Sequence, residues 1–298
     1  MSVKPGEGGR SASSDPQWIT ETVADAAGFR TALSADRVVR EVAGEQHLAV
    51  FENRSFGRVL TLDGAIQVTT GDEFVYHEMM AHVPLMAHGA AAYVLILGGG
   101  DGGVAREVLR HPVAGVTLVE IDRAVVDLMV AEMPSVSAGA FDDPRLTLAI
   151  ADGADFVDGA AEASFDVIIV DAPDPVGAGA ALFTGAFYAA CRRILRPGGV
   201  MVCQSGMPFL SGDWLAGHAQ TLRASFADVA FYLSVVPSYT GGPMAHAFAT
   251  SDSALKDAPA HLLAARASSL RLAGRYWTPA IHRAAFVLPP YIAAHITR

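Results

Sequence analysis

The chain has 298 residues, of which 51% are hydrophobic and only 17% charged, and its formal net charge is -10. That length and apolar content support a sizeable core, with room for one large domain and a smaller one. The acidic balance and the lack of a Lys/Arg cluster argue against a nucleic-acid or anionic-membrane surface, which need a basic footprint; a cationic small molecule suits the chain better. No apolar run is long enough to span a bilayer, and the opening MSVKPGEGGRSASSDP lacks the apolar core of a signal peptide. Residues 1–16 are expected to be disordered and the protein to be cytoplasmic. Cys191 and Cys203 sit in apolar stretches with no CxxC or Cys/His spacing, so they read as buried free thiols rather than a disulfide or a zinc site.

Along the chain, residues 17–74 show short β-branched runs separated by turn pairs such as Glu52-Asn53 and Asp63-Gly64, the pattern of a small antiparallel β domain. From Phe74 the period becomes helical in FVYHEMMAHVPLMAH, followed by strand-like AAYVLIL, a glycine loop, helical VAREVLRHP and strand GVTLVEID. The alternation continues through helical AVVDLMVAEMP, strands LTLAIADG and FDVIIVDAP, helical GAFYAACRRIL and strand GGVMVCQSG. Near-continuous apolar strands alternating with helices indicate an α/β domain over residues 75–298, a doubly wound Rossmann-like parallel sheet buried on both faces.

In such a sheet, ligands bind beyond the carboxyl ends of the strands, and acidic residues recur there. Gly98, Gly100 and Gly103 match G-x-G-x-x-G between strand and helix, and Glu120 ends the next strand at the distance of a ribose-binding acid. The loop carries a carboxylate, Asp101, which would repel the pyrophosphate of NAD. S-adenosylmethionine and its relatives carry no phosphate and have a positive sulfonium. Asp152, ending LTLAIAD, is placed to accept from an adenine amino group.

Asp171 and Asp174 close the strand FDVIIV. An amine nucleophile must be held as an ammonium and then deprotonated, and with a reference pKa near 10 the neutral form at pH 7 costs about 4 kcal/mol. A base and an anchoring carboxylate therefore make chemical sense, although two close acids also fit a solvated turn or a helix cap. A zinc reading of YHEMMAH fails, because His77 and His82 are five positions apart rather than one helical turn; no metal is expected. Tyr76 and Tyr239 read as core aromatics or as faces stacked near a sulfonium or alkylammonium.

Together these stretches resemble the bacterial spermidine synthases, the polyamine aminopropyltransferases, over about Trp18 to Tyr291. The carrying segments are FENRSFGRVLTLDGAIQVTTGDEFVYHEMMAHVPL, GGGDGG, LVEID, DDPR, DAPDPVGAGAALFT, PSYTGG and YWTPAIHRAAFVLP. The resemblance implies a Rossmann-like, methyltransferase-type fold and decarboxylated S-adenosylmethionine as co-substrate, with no prosthetic group. It implies that Gln46, Gln67, His77, Gly98, Gly100, Asp101, Glu120, Ile121, Asp152 and Gly153 line the co-substrate pocket, with Asp101 pairing with the aminopropyl ammonium. On the amine side it implies Asp171 as general base, Asp174 as a second carboxylate, and Tyr76, Gln204 and Tyr239 as the pocket for putrescine. A homodimer or homotetramer is expected.

This sequence departs from the family pattern at named positions. Gly206 stands where many relatives carry a Glu, which puts acceptor length in question, and His246 stands where an aromatic is common. Ala172, Pro173 and Ala178 alter the loop that closes over the active site in relatives. The competing readings are an aminopropyltransferase that also takes cadaverine or spermidine, a methyltransferase using intact S-adenosylmethionine, an NAD-dependent oxidoreductase, and a non-catalytic polyamine-binding protein.

Overall fold

A computed structural model describes residues 17–22, 24–44, 46–172 and 177–297; the expectation for residues 1–16 lies outside them. The first strands, β1 (Gln17–Glu21) and β2 (Thr31–Ala35), form an antiparallel pair. Next, β3 (Arg37–Ala43), β4 (His47–Asn53), β5 (Gly57–Leu62) and β6 (Ala65–Thr69) make a four-stranded antiparallel meander. Asp63 and Gly64 form the β5–β6 turn with φ of 48° and 83°, the left-handed pair a two-residue hairpin needs. The turn expected at Glu52-Asn53 falls one step later: both residues remain paired in β4, opposite Arg58 and Gly57. Asn53 directs that turn from the strand end, its Oδ1 accepting from the N–H groups of Ser55 (2.9 Å) and Phe56 (3.0 Å).

The meander is apolar on both faces because side chains alternate along each strand. Leu48, Val50, Leu60 and Val68 pack against Val125, Leu128, Met129 and Met133, while Phe51 and Val59 face Ile19 and Leu33 of the β1–β2 pair. The sheet is thereby clamped onto the larger unit, and its edge reaches the active-site end of the molecule.

The larger unit begins with α1 (Glu73–His88), which is buried at nearly every position and carries Pro84 inside it. It continues through β7 (Tyr93–Gly98), α2 (Gly103–Leu109), β8 (Gly115–Glu120), α3 (Arg123–Glu132), α4 (Pro134–Ser137), β9 (Leu146–Ile150), α5 (Gly153–Gly159) and β10 (Phe165–Asp171). After these come α6 (Gly185–Ile194), β11 (Leu195–Gln204), α7 (Gly212–Arg223), β12 (Asp228–Ser234), β13 (Met244–Thr250), α8 (Ala260–Leu270), α9 (Pro279–Ala285) and α10 (Pro290–Ile296). The seven-stranded sheet has the order β12-β13-β11-β10-β7-β8-β9.

Two features correct the sequence expectation. The sheet is not wholly parallel, since β13 runs antiparallel to both β11 and β12. A helix, α5, also separates β9 from β10, where the sequence pattern read strand directly to strand; its seven residues, GADFVDG, are too short and polar to show a helical period.

From β7 the chain moves outward to β8 and β9, then returns to lay β10 on the other side of β7. The crevice for a ligand opens at this reversal, between the carboxyl ends of the two strands. There Asp171 is the register partner of Gly98. The C-terminal segment braces the crevice from behind: Glu78 of α1 accepts from the backbone N–H of Arg275 (2.7 Å), Tyr276 (2.9 Å) and Trp277 (2.7 Å). This contact links YHEMMAHVPL to YWTPAIHRAAFVLP. Among the described residues, no helix is long and apolar enough to cross a membrane.

Candidate active site

The ends of β7, β8, β9, β10 and β11 deliver Gly98, Glu120, Asp152, Asp171 and Gln204 to one end of the sheet. At the centre, Asp171 accepts a 2.7 Å hydrogen bond on Oδ1 from the Tyr76 hydroxyl. Burial, followed by the nearby charge of Asp101, pushes the Asp171 carboxyl up to about 7, against the opposing pull of His77 and the Tyr76 hydroxyl. Tyr76 itself is buried, and its pKa is raised well above the ordinary phenol value by that burial and by Asp171, so it remains a neutral donor.

Asp101 does not stand alone in the glycine loop. Its Oδ1 accepts from Gly103 N–H (2.6 Å), and its Oδ2 lies 3.3 Å from Nε2 of His77. Burial works to raise its pKa, but the His77 charge, the His77 and Gly103 hydrogen bonds and Arg106 hold it below the usual value. Gly103 makes this approach possible, since a Cβ there would stand 2.2 Å from the His77 ring. His82 joins a buried group with Nδ1 3.0 Å from Nε2 of His111 and Nε2 3.1 Å from Glu107, whose other oxygen accepts from Arg106 Nε at 2.8 Å.

Glu120 accepts from the N–H of Gly100 on Oε2 and of Asp122 on Oε1, each at 3.0 Å, and its pKa is raised by burial. Asp152 caps α5: its Oδ1 accepts from Ala154 N–H (2.7 Å) and Asp155 N–H (3.1 Å). Both bonds use one oxygen, so the cap and a ligand role at Oδ2 are compatible. Ile121 is 52% exposed at the end of β8, and Gly153 opens α5 beside Leu182 and Leu97.

On the other flank, the Tyr239 hydroxyl donates to the backbone oxygen of Gln67, and its ring meets Tyr76 edge-on at 6.2 Å. Asp72 fixes this loop, accepting from Ser238 N–H (2.7 Å) and Ser238 Oγ (3.2 Å). Gln204 is buried and folds back locally, donating to Ala172 O (3.4 Å) and accepting from Gly206 N–H (2.8 Å). His246 lies beneath Tyr76 at 5.7 Å, stacks on Tyr232 at 4.9 Å and has Nε2 2.7 Å from Ser234 Oγ. Burial drives its pKa down to about 3, so it serves as a flat neutral ring in the aromatic position.

The structure thus brings together Tyr76, His77, Asp101, Asp171, Tyr239 and the glycine loop, with Glu120 attached through Gly100. The Gln67 side chain turns to Ala65 O (3.2 Å), and Gln46 lies half-buried in the β3–β4 turn. Asp174 and Pro173 lie outside the described residues. Sequence reasoning passed over Glu73 and Arg106. Glu73 Oε2 is 2.6 Å from Nδ1 of His77, and Arg106 grips both Glu73 oxygens at 2.8 and 3.1 Å. The available signal was the four-residue spacing from Glu73 to His77 on one helix face.

The arrangement is an acidic, aromatic-lined cleft suited to cations and to removing a proton from one. A family described as Spermine/spermidine synthase domain matches residues 73–257, and one described as Spermidine synthase tetramerisation domain matches residues 17–70. A polyamine aminopropyltransferase from Klebsiella pneumoniae (strain 342) is 49% identical over 280 residues, covering 93% of this chain and 96% of that protein. Another from Sodalis glossinidius (strain morsitans) is 50% identical over 254 residues, covering 85% and 88% respectively. A solved spermidine synthase in complex with the transition state analogue AdoDATO matches with a TM-score of 0.89 at 33% identity, covering 95% of this chain and 97% of its own. Spermidine synthase from Thermotoga maritima matches with a TM-score of 0.86 at 32% identity, covering 95% and 96%. Sequence and fold agree with these relatives, and the chain belongs to the spermine/spermidine synthase family of polyamine aminopropyltransferases.

Proposed function

We propose that this protein is a spermidine synthase, moving the aminopropyl group of decarboxylated S-adenosylmethionine to putrescine and releasing 5'-methylthioadenosine. The observation that carries the reading is the Tyr76–Asp171 pair at the β7/β10 crevice, with the Asp171 carboxyl raised to about 7. The relative that carries a transition state analogue supports the same co-substrate.

In this reading Glu120 takes the ribose hydroxyls, Oδ2 of Asp152 the adenine amino group, and the exposed Ile121 lies along the adenine. Asp101 receives the aminopropyl ammonium. Asp174 is assigned as a second carboxylate for the amine, with Gln204 and Tyr239 in its pocket. Asp171 takes a proton from the acceptor ammonium. The freed lone pair attacks the methylene carbon next to the sulfonium, the C–S bond breaks, and its electron pair neutralises the sulfur. An ordinary carboxylate lies about 6 pKa units below an amine, and each unit costs about 1.4 kcal/mol. Raising Asp171 to about 7 halves that gap. The leaving group is already activated by its charge, so most of the work is positioning two cations in line.

A broader acceptor range is the second reading, and Gly206 favours it. Its φ is +67°, and a Cβ there would lie 3.0 Å from Ser211 Oγ, so this backbone disfavours the acid that many relatives place at the corresponding position. The assembly is proposed to be a homodimer or homotetramer built on residues 17–70, and its location the cytoplasm.

The test is incubation with decarboxylated or intact S-adenosylmethionine plus putrescine, cadaverine or spermidine, with products identified by mass spectrometry. Methylthioadenosine with spermidine is the expected result. Methylated amine would instead identify a methyltransferase, and a thousandfold preference for putrescine over cadaverine in kcat/KM would remove the broader reading.

A further inference from the structure

His77 lies between two carboxylates: Nδ1 is 2.6 Å from Oε2 of Glu73 and Nε2 is 3.3 Å from Oδ2 of Asp101. A neutral imidazole presents one nitrogen as a lone pair, which either carboxylate would repel. With Glu73 and Asp101 both held below the usual carboxylate range and so ionised, both contacts are attractive only when both nitrogens carry hydrogen. Glu73 is in turn compensated by Arg106, whose Nη2 and Nη1 reach its two oxygens at 2.8 and 3.1 Å. Glu73 is 8% exposed and His77 2%, so solvent screens these charges weakly. Gly103 packs closely against the ring, since a Cβ there would stand 2.2 Å from it.

Resting on the aminopropyltransferase reading above, we propose that Glu73 and Arg106 are positioning residues. They hold His77 as an imidazolium whose Nε2–H sets the direction and charge of the Asp101 carboxylate that receives the aminopropyl ammonium.

The groups facing His77 are Glu73 from α1, Asp101 from the β7–α2 loop and Asp171 from the end of β10, with Arg106 of α2 behind Glu73 and the Tyr76 ring at 5.7 Å. Burial opposes the charge on the ring, but Asp101 and Glu73 outweigh it and carry the His77 pKa up to about 10. The cation also offsets the repulsion between Asp101 and Asp171. If His77 were neutral, these two carboxylates would repel each other with less compensation, and the Asp171 carboxyl, already at about 7 beside the cation, would rise further. The arriving ammonium would then meet a less negative site. The 2.6 Å contact to Glu73 anchors the ring, while the longer 3.3 Å contact to Asp101 is the one an ammonium competes with.

The test begins with ligand-free protein carrying isotope-labelled histidine, its His77 ring resonances assigned by their loss in His77→Gln. The ring is expected to remain doubly protonated through about pH 8 in the wild type and to lose that proton below about pH 8 in Glu73→Gln. A neutral wild-type ring at pH 7.5 overturns the proposal even if the variant fails to fold. So does a Glu73→Gln ring that titrates like the wild type.

Binding supplies the second readout. Glu73→Gln and Arg106→Gln should weaken decarboxylated S-adenosylmethionine by about tenfold and 5'-methylthioadenosine, which lacks the ammonium, by less than about twofold. Equal losses for both ligands would mean general damage to the pocket and would overturn the positioning role. If wild-type protein bound neither ligand, the functional reading would fall, and with it the role toward the ammonium, while the ring titration would still report on the Glu73–His77 pair.

Discussion

The Tyr76 hydroxyl donates a 2.7 Å hydrogen bond to Oδ1 of Asp171 across the crevice between α1 and β10. The bond stabilises the ionised carboxylate, opposing the burial that raises its pKa. Removing it in Tyr76→Phe should push the Asp171 pKa higher and leave less base at neutral pH. A hydrogen bond to a charged group contributes roughly 1.5–3 kcal/mol, so kcat/KM at neutral pH should fall by about tenfold or more. The acidic limb of the pH–rate profile should also move to higher pH. A uniform loss with an unmoved limb would show that Tyr76 contributes only to amine binding.

Asp171→Asn should separate activity from stability. General-base removal costs about 10²–10⁴-fold, and kcat should fall within that range. In wild type, kcat/KM should rise as pH passes through about 7, the pKa of the free carboxyl; a flat chemistry-limited profile from pH 6 to 9 would remove Asp171 as base. Stability runs the opposite way. The folded pKa is raised above the ordinary carboxylate value, so the native state holds the proton more tightly than the unfolded chain. This contribution is fully present below the unfolded pKa and is lost as pH rises through about 7. Asparagine carries no charge to bury, so the ligand-free variant should melt higher than wild type at pH 8 and close to it at pH 5. A variant that melts lower at both values would contradict the charge argument.

How much of this was legible in the sequence depended on whether a residue's partner was local. Asp63-Gly64 announced its turn because both conformations are set within the pair itself. Asn53 looked like a turn residue but stays in β4 and directs the following turn from the strand end through its side chain, a reach composition does not reveal. Apolar runs placed β7, β8 and β10, and the acids at their ends followed from the sheet rule. The β12–β13 hairpin left no comparable trace, because MAHAFAT is small and mixed and owes its burial to neighbours distant in sequence. Asp101 was read as a carboxylate that repels pyrophosphate and suits an ammonium; the histidine that pairs with it in the fold, His77, comes from another element, and Arg106 stands behind that cation through Glu73. The Asp152 cap was equally hidden until α5 was seen to follow it.

Gly103→Ala tests the packing that forces His77 toward Asp101. A Cβ would fall 2.2 Å from the ring, which is buried, so the ring or the loop must shift. Overpacking of this kind costs about 1–3 kcal/mol, and denaturant unfolding should show a loss of that size. Because the loss arises from one contact, adding His77→Ala should recover part of it, and the double-mutant cycle should give a coupling of about 1 kcal/mol or more. Strictly additive effects would locate the penalty in the backbone of the glycine loop.

Asp72→Ala should act on the acceptor amine. Asp72 is 5% exposed and accepts from Ser238 N–H at 2.7 Å, Ser238 Oγ at 3.2 Å and Thr69 Oγ1 at 2.6 Å. Truncation leaves the Ser238 N–H buried without an acceptor, a penalty of about 1–3 kcal/mol. The adjacent residue is Tyr239, whose hydroxyl bonds to Gln67 O and whose ring edge meets Tyr76, so the freed loop should misplace the amine pocket. KM for putrescine should rise severalfold while KM for decarboxylated S-adenosylmethionine changes less, because Asp101, Glu120 and Asp152 are carried by the ends of β7, β8 and β9 rather than by the freed loop. Asp72→Asn keeps one carbonyl acceptor and should recover part of the loss. An equal rise in both KM values would show that Asp72 holds up the whole crevice, and an unchanged putrescine KM would show that Tyr239 keeps its place without the Ser238 anchor.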